Sequence, residues 1–347
     1  MTVVRDTHEA HGATFTTVGG HALPKEYGRP DRAHRAVRRV VGVTEAAYGV
    51  LVITGTDALS LLGEICPSDP PSEEGAGGYT LHLDTQGRIA GDAYVYHGGE
   101  RVLCFTAPGT EQFLATAWRE VAETAELAVD VSPSGDAFGV FGLHGPKATE
   151  KVASVLTGPG APEGRYRFVR GQIGDNGVTV IRGADLAGEE SYEVVCRAAA
   201  AERVFDALIN HGLNAAPFGR YTWHTLTVEA GSPLYESELV GRRPAALGLG
   251  HLTPGPTRGP TGQLVGLQPA SLPAAGDPVL TVDGSDRLGE VTRAVDAPTL
   301  DGPAALAILD GSPPERVSVG DDTVAVQSLP LVEGSALSAR LPRAGED

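Results

Sequence analysis

Apolar and polar residues alternate along residues 79–96, YTLHLDTQGRIAGDAYVY. Every second residue of Tyr79–Leu83 is apolar, which is the period-two pattern of a half-buried strand. Residues 84–87 end in a glycine and predict a turn, after which the chain returns through the apolar run 93–96. Asp92 lies just before that run, where a carboxylate is costly if it is buried without a partner. A strand-edge aspartate that faces water explains the same pattern equally well.

The residues around this hairpin predict an α+β fold with antiparallel sheets. Strands are predicted at 50–53 and 101–105, and amphipathic helices at 57–65 and 110–127. The order then recurs, with strands predicted at 137–143, 166–170, 178–182 and 191–196 and helices at 147–156 and 198–211. Two similar lobes are therefore expected, the second starting near residue 135.

The composition and the predicted elements of the chain change towards its C-terminus. Residues 1–245 form the predicted two-lobed body, and residues 246–262 are rich in Gly and Pro and predict a linker. Short strands separated by turn residues follow between positions 264 and 332, the last of them predicted at 329–332. Residues 263–347 are therefore expected to form a β-barrel domain.

Composition limits the function classes. The chain has 347 residues, 41% hydrophobic and 20% charged, which is typical of a globular protein with more than one core. Its first residues are polar, and no long apolar run is present, so neither a secretion signal nor a membrane span is expected. The three cysteines are scattered without metal-binding spacing, which indicates a reduced, cytoplasmic protein with no metal site. A formal net charge of −17 disfavours nucleic acid and anionic membranes as partners.

The candidate catalytic groups are few. The sequence has no phosphate-binding glycine loop, nucleophile elbow or HExxH motif. The polar residues that stand out are Asp92, the acids Glu189, Glu190, Glu193 and Glu229, and the tyrosines Tyr79 and Tyr235. Taken singly, these residues are better explained as turn acids, solvated charges or half-buried rings.

Taken in chain order, seven segments resemble the glycine cleavage T-protein (aminomethyltransferase) superfamily of folate-binding proteins. They are residues 15–38, FTTVGGHALPKEYG to HRAVR; 55–62, GTDALSLL; 79–96, the hairpin; 142–148, GLHGPKA; 187–195, AGEESYEVV; 226–239, LTVEAGSPLYESEL; and 287–309, RLGEVTRAVDAPTLDGPAALAIL. The resemblance implies a tetrahydrofolate-dependent transferase of one-carbon groups, aminomethyltransferase-like, with a two-lobed folate-binding body and a C-terminal barrel.

The resemblance also implies a set of site residues. Asp92 stands at the position of the family's catalytic aspartate. The implied cofactor-binding residues are Tyr79, Thr106, Glu189, Tyr192 and Tyr235. The edge of pterin presents adjacent N–H donors, which a carboxylate matches with two charge-assisted hydrogen bonds, and Glu189 is expected in that role. The implied partners are folate, a one-carbon donor and a lipoyl carrier protein.

Several departures from the family pattern keep other functions open. Residues 44–49 replace a longer family segment, His144 stands in place of a glutamine, and Trp223 and Thr227 stand where the family has arginines. These departures suit a paralogue. A folate-dependent demethylase of an N-, O- or S-methyl donor is one alternative. A folate-binding accessory protein of the YgfZ type for iron–sulfur enzymes is another, although PLYESELVG at 233–241 lacks that group's cysteine.

The charge composition yields a testable prediction. The chain contains 44 acidic and 27 basic residues, and of the basic ones only Lys25, Lys147 and Lys151 are lysines, which favours a halophilic protein. Because salt screens the repulsion between surface acids, the melting temperature should rise with KCl concentration. Thermal unfolding followed by circular dichroism from low to molar KCl measures this; a flat or falling curve would contradict salt adaptation.

Overall fold

The computed structural model of the chain describes residues 2–66, 68–253 and 262–335. Its α-helices are α1 (Arg5–Ala10), α2 (Pro30–Arg39), α3 (Ala58–Ile65), α4 (Glu111–Thr124), α5 (Ala148–Val155), α6 (Ala201–Asn210) and α7 (Arg220–Glu229). A π-helical turn, Tyr235–Leu239, follows α7.

The strands alternate with these helices along the chain. The first ten are β1 (Thr14–Val18), β2 (His21–Glu26), β3 (Gly42–Glu45), β4 (Gly49–Thr54), β5 (Gly77–Leu83), β6 (Ile89–His97), β7 (Arg101–Thr106), β8 (Asp130–Pro133), β9 (Phe138–His144) and β10 (Leu156–Thr157). The others are β11 (Phe168–Ile173), β12 (Asn176–Arg182), β13 (Ser191–Arg197), β14 (Ala216–Pro217), β15 (Gln263–Leu267), β16 (Pro278–Leu280), β17 (Arg287–Ala297), β18 (Gly302–Leu309), β19 (Arg316–Val319) and β20 (Asp322–Ala325).

Three larger sheets and one hairpin organise these strands. The first sheet has the order β5-β6-β7-β4-β8, and the second has the order β10-β11-β12-β13-β9-β3-β14. The C-terminal sheet has the order β15-β18-β17-β16-β19-β20, and β1 pairs with β2. All these pairs are antiparallel except β3 with β14. The predicted α+β class with antiparallel sheets is confirmed.

Strand alternation produces the layers of the body. On β6, Tyr94 and Tyr96 face the second sheet, whereas Ala93 and Val95 pack under α3 and α4. On β13 the odd position Val195 joins the core between the sheets, and the even positions pack against α6. Because each sheet is apolar on both faces, the body consists of two sheets packed face to face with helices on their outer sides.

Two features of the body differ from the sequence-based expectation. Strand β3 lies before the first sheet in the sequence but pairs with β9 of the second, so the two lobes are interleaved rather than divided at residue 135. The predicted strand at 329–332 is absent: this segment lies against the end of α7, where the amide of Val332 donates to the carbonyl of Glu229. Part of the predicted linker, residues 254–261, lies outside the described residues.

The C-terminal sheet contacts the body through α7. Its own core is formed by apolar side chains from all its long strands, among them Leu267, Val291 and Leu309. A second cluster joins Val228 of α7 to Leu306 of β18. The segment that follows α7 is therefore held between the body and the C-terminal sheet.

Candidate active site

A cavity opens between the two sheets of the body, at the end where β3, β6 and β7 approach the segment that follows α7. It contains about 860 Å³ of space, which includes open solvent at its mouth. Its wall includes Asp92, Glu193 and His144, together with several aromatic rings. Apolar walls with a few polar groups are typical of a binding site.

Asp92 lies on β6, on the face that points to the second sheet. The hydroxyl of Tyr79 donates to its Oδ2 at 2.8 Å, while Oδ1 is buried and accepts no hydrogen bond from the described residues. Burial raises the pKa of Asp92 to about 6, the hydrogen bond from Tyr79 opposes this increase, and the charge of Glu236 adds to it. At neutral pH the carboxylate is therefore mostly ionised.

Glu193 contributes a further carboxyl group to the cavity wall. It shares a face of β13 with Val195 and is 6% exposed. The hydroxyl of Tyr48 donates weakly to Oε1 at 3.4 Å, and buried Oε2 has no partner in the described part of the chain. Burial raises the pKa of Glu193 to about 8. At pH 7 Asp92 is thus mainly ionised and Glu193 mainly protonated, an arrangement suited to different roles.

Two nitrogenous side chains complete the polar wall. His144, at the end of β9, is 3% exposed, and burial lowers its pKa to about 4, so the imidazole is neutral. The Nη2 of Arg220 donates to Glu236 Oε1 at 2.8 Å. The Nε of Arg220 is buried and has no hydrogen-bond partner among the described residues. Burial also lowers the pKa of Arg220.

Aromatic rings form the apolar wall. Tyr48 stacks on Phe105 with ring centroids 5.3 Å apart and planes inclined by 9°. Tyr79 packs on Tyr94 with centroids 4.8 Å apart. Such surfaces suit a flat heteroaromatic ligand.

Four of the six site residues expected from the sequence line this cavity. Asp92 and Tyr79 are hydrogen-bonded to each other, Thr106 ends β7 beside them, and the hydroxyl of Tyr235 donates to the carbonyl of Ala90 at 2.7 Å. The structure therefore brings these four residues together.

Glu189 and Tyr192 lie elsewhere. Glu189 precedes β13 and forms an ion pair with Arg38 at 3.0 Å. Tyr192 is on the opposite face of β13 from Glu193, in the core under the helices, and its hydroxyl lies 2.6 Å from Thr149 Oγ1. The expectation that Glu189 and Tyr192 contact the ligand does not fit this geometry, because strand alternation directs position 193 into the cavity.

Sequence reasoning also missed His144 and Arg220 as wall residues. The period-two pattern of β9 and β13 contained the signal for His144 and Glu193, since both share a face with apolar residues of the core between the sheets. Nothing in the local sequence indicates Arg220, which reaches the cavity from the first turn of α7.

A buried ion pair fixes the wall that contains Tyr235. Arg293 of β17 donates through Nε to Glu238 Oε1 at 2.9 Å and through Nη1 to Thr227 Oγ1 at 2.8 Å. It also donates to the carbonyl of Ser232. Arg293 and Glu238 are 6% and 0% exposed, so their charges satisfy each other inside the protein.

Two classes of site are not found in the described part of the chain. Its His, Cys, Asp and Glu side chains form no group of three or more that is arranged to hold a metal ion. None of its helices has the length and apolar character needed to cross a membrane.

Residues 4–253 match the family model described as the GCVT N-terminal domain. An aminomethyltransferase of Rubrobacter xylanophilus is 29% identical over 335 residues, covering 90% of this chain and 87% of that protein. A probable aminomethyltransferase of Natronomonas pharaonis is 28% identical over 356 residues, covering 94% of this chain and 98% of that protein. The crystal structure of the glycine cleavage system aminomethyltransferase T from Bartonella henselae has a TM-score of 0.83 at 20% identity, covering 96% of this chain and 98% of that one. That likeness establishes the fold.

The raised pKa of Glu193 predicts how stability depends on pH. Between about pH 4.5 and pH 8 the folded protein keeps a proton on Glu193 that the unfolded chain releases, so this residue's contribution to stability is lost as the pH rises. Glu193→Gln removes that loss, and its unfolding free energy relative to the wild type should increase by up to about 1.4 kcal/mol per pH unit across the window. Urea unfolding of the ligand-free protein at several pH values measures the difference. Exposed Glu163→Gln is the control, and equal slopes for all three proteins would refute the assignment.

Proposed function

The chain belongs to the glycine cleavage T-protein family, and we propose that it transfers a one-carbon unit to tetrahydrofolate as an aminomethyltransferase. The observation that supports this function best is the pair of carboxyl groups Asp92 and Glu193, each with one buried oxygen that has no hydrogen-bond partner in the described part of the chain, in an aromatic cavity. The names of the relatives, all aminomethyltransferases, favour the same reaction.

The residues present fit the pterin ring of folate. Unpartnered buried oxygens are costly in a folded protein, and a ligand that donates N–H groups removes that cost. We place the N–H edge of pterin on Glu193 and the faces of the ring between the tyrosine walls. Binding favours the charged form of Glu193, so its proton leaves as the two charge-assisted hydrogen bonds form. Glu189 does not take this role in the proposal, because its carboxylate forms an ion pair with Arg38.

Tetrahydrofolate, when bound, supplies the nitrogen that accepts the one-carbon unit. Asp92 is the group of this chain that acts at that nitrogen, as the acceptor of its proton or as the counter-charge for the cation that develops on the donor. Tyr79 holds the orientation of Asp92 through the 2.8 Å hydrogen bond and opposes the increase of its pKa. The walls orient the two reactants, and orientation alone lowers such barriers by roughly 7–11 kcal/mol.

The donor is proposed to be an aminomethyl group on a lipoyl carrier protein, in the cytoplasm. Transfer from this donor releases ammonia. A folate-dependent demethylase is the second candidate, favoured by Thr227, whose hydroxyl is held by Arg293 at a position where the family resemblance expects an arginine. The two reactions differ in product, since one gives methylenetetrahydrofolate and ammonia and the other gives methyltetrahydrofolate.

Asp92→Asn tests the reaction and the catalytic residue together. With an aminomethylated lipoyl carrier and tetrahydrofolate, the wild type should produce methylenetetrahydrofolate and one ammonia per turnover. The variant should keep its tetrahydrofolate affinity and lose about 100-fold or more in kcat, since a positioned acid–base group contributes roughly that much. Exposed Asp175→Asn is the matched control. A fully active Asp92→Asn variant would remove Asp92 from the mechanism, and methyltetrahydrofolate formed from a methyl donor would favour the demethylase.

Glu193→Gln and Glu189→Gln form a matched pair that tests the pterin contact. The first change should weaken tetrahydrofolate binding at least about tenfold, because it replaces a charge-assisted pair of hydrogen bonds. The second should leave the affinity within about twofold and lower the melting temperature, because it breaks a buried ion pair with Arg38. Anaerobic calorimetry and thermal unfolding measure both quantities. The reverse pattern of affinities would restore Glu189 as the pterin ligand.

A further inference from the structure

In the part of the chain that the structure describes, His144 has no hydrogen-bond partner that explains its burial. It is 3% exposed, and its Nδ1 is enclosed without a hydrogen-bond partner among the residues that the structure describes. Its ring packs edge-on against Trp223 and Phe218, with centroids 5.2 and 5.8 Å apart. A buried imidazole without a partner loses hydrogen bonds that it would make in water, so an apolar side chain would be the more favourable filler of this space.

The side chains of His144 and Glu193 approach each other beside Gly142, which has no side chain of its own. In the register of β9 and β13, Gly142 lies opposite Glu193, and His144 lies two residues further along on the same face. A Cβ atom on Gly142 would lie 2.6 Å from His144 Nε2 and 3.3 Å from Glu193 Oε2. The two polar atoms are therefore less than about 6 Å apart, and both side chains line the cavity.

The chemistry of this pair is complementary to one edge of a pterin. That edge presents an exocyclic amino group, a ring N–H and a carbonyl oxygen in a row, which are two donors followed by one acceptor. A carboxylate accepts from the two donors and leaves the carbonyl oxygen in need of a donor. A neutral imidazole has one N–H to give.

We propose that His144 is a specificity-determining residue of the cavity, which donates a hydrogen bond to the carbonyl oxygen of the pterin ring beside the contacts made by Glu193. This assignment rests on the proposed function, because it requires folate in the cavity. It adds a third recognition point that discriminates pterins with a ring carbonyl from ligands without one. The neutral state of His144 at physiological pH suits this role, since binding then requires no change in its protonation.

A role as a mere space filler between Trp223 and Phe218 makes a different prediction. Leucine would fill much of that space without offering a donor, and glutamine offers an amide N–H in a side chain of similar length. His144→Leu and His144→Gln therefore separate the hydrogen bond from the packing.

The test measures tetrahydrofolate binding by anaerobic calorimetry in the wild type and both variants, with thermal unfolding as the check of folding. We expect His144→Leu to bind about tenfold more weakly and His144→Gln to stay within about threefold of the wild type. Wild-type affinity in His144→Leu, or an equal loss in both variants, would overturn the assignment.

A second measurement needs only the wild-type protein. Folate labelled with ¹³C at the ring carbonyl should show, in isotope-edited infrared spectra, a carbonyl stretch at lower wavenumber when bound than in an aprotic solvent. An unshifted stretch in the bound state would overturn the role of His144 while leaving folate binding intact. Failure of the wild type to bind any folate would instead overturn the proposed function.

Discussion

The packing of two antiparallel sheets through one shared apolar face is the constraint on which the site depends. Side chains such as Tyr94 and Val195 belong to one apolar cluster that joins the two sheets. The same alternation that directs them inward also directs Asp92 and Glu193 inward, where they line the cavity. The polar groups of the cavity are therefore held by strands whose positions the core fixes.

Buried charge in this protein falls into two kinds. At the junction of α2 and α7, His34 and Arg38 contact Glu229 at 2.8 and 2.6 Å, and Arg38 also contacts Glu189. Burial alone would raise the pKa of Glu229, but these partners bring it below its ordinary value. Groups that are paired in this way stabilise the junction, and few of their donors and acceptors remain open to a ligand. Among the described residues, Asp92 and Glu193 have no ion-pair partner, and each keeps one buried carboxyl oxygen without a hydrogen bond, which distinguishes them from the ion-paired acids of the junction.

Much of this architecture could be predicted from periodicity, since the hairpin, the recurrence of strands and helices and the short C-terminal strands all follow local patterns. Asp92 and Tyr79 were predicted through the family resemblance of the hairpin, and they lie diagonally on one face of its two strands, Tyr79 opposite Tyr94 and Asp92 opposite Leu81. The resemblance placed Glu189 on the pterin, whereas Glu193 is the residue that lines the cavity, because a motif gives the order of residues but not the point where extended backbone begins. The pairing of β3 with β9 depends on contacts about 100 residues apart, and no local signal specifies such a pairing.

Arg293 has a consequence for what counts as the functional unit of this chain. The family domain matched by the sequence ends at residue 253, and the cavity-wall residues named above all lie within it. Yet the segment bearing Tyr235 is held in place by a guanidinium group that lies 40 positions beyond that boundary. The matched domain therefore ends before the last residue that supports the cavity wall. A substitution of Arg293 would leave buried Glu238 without its ion-pair partner and would disturb the cavity wall from outside the matched domain.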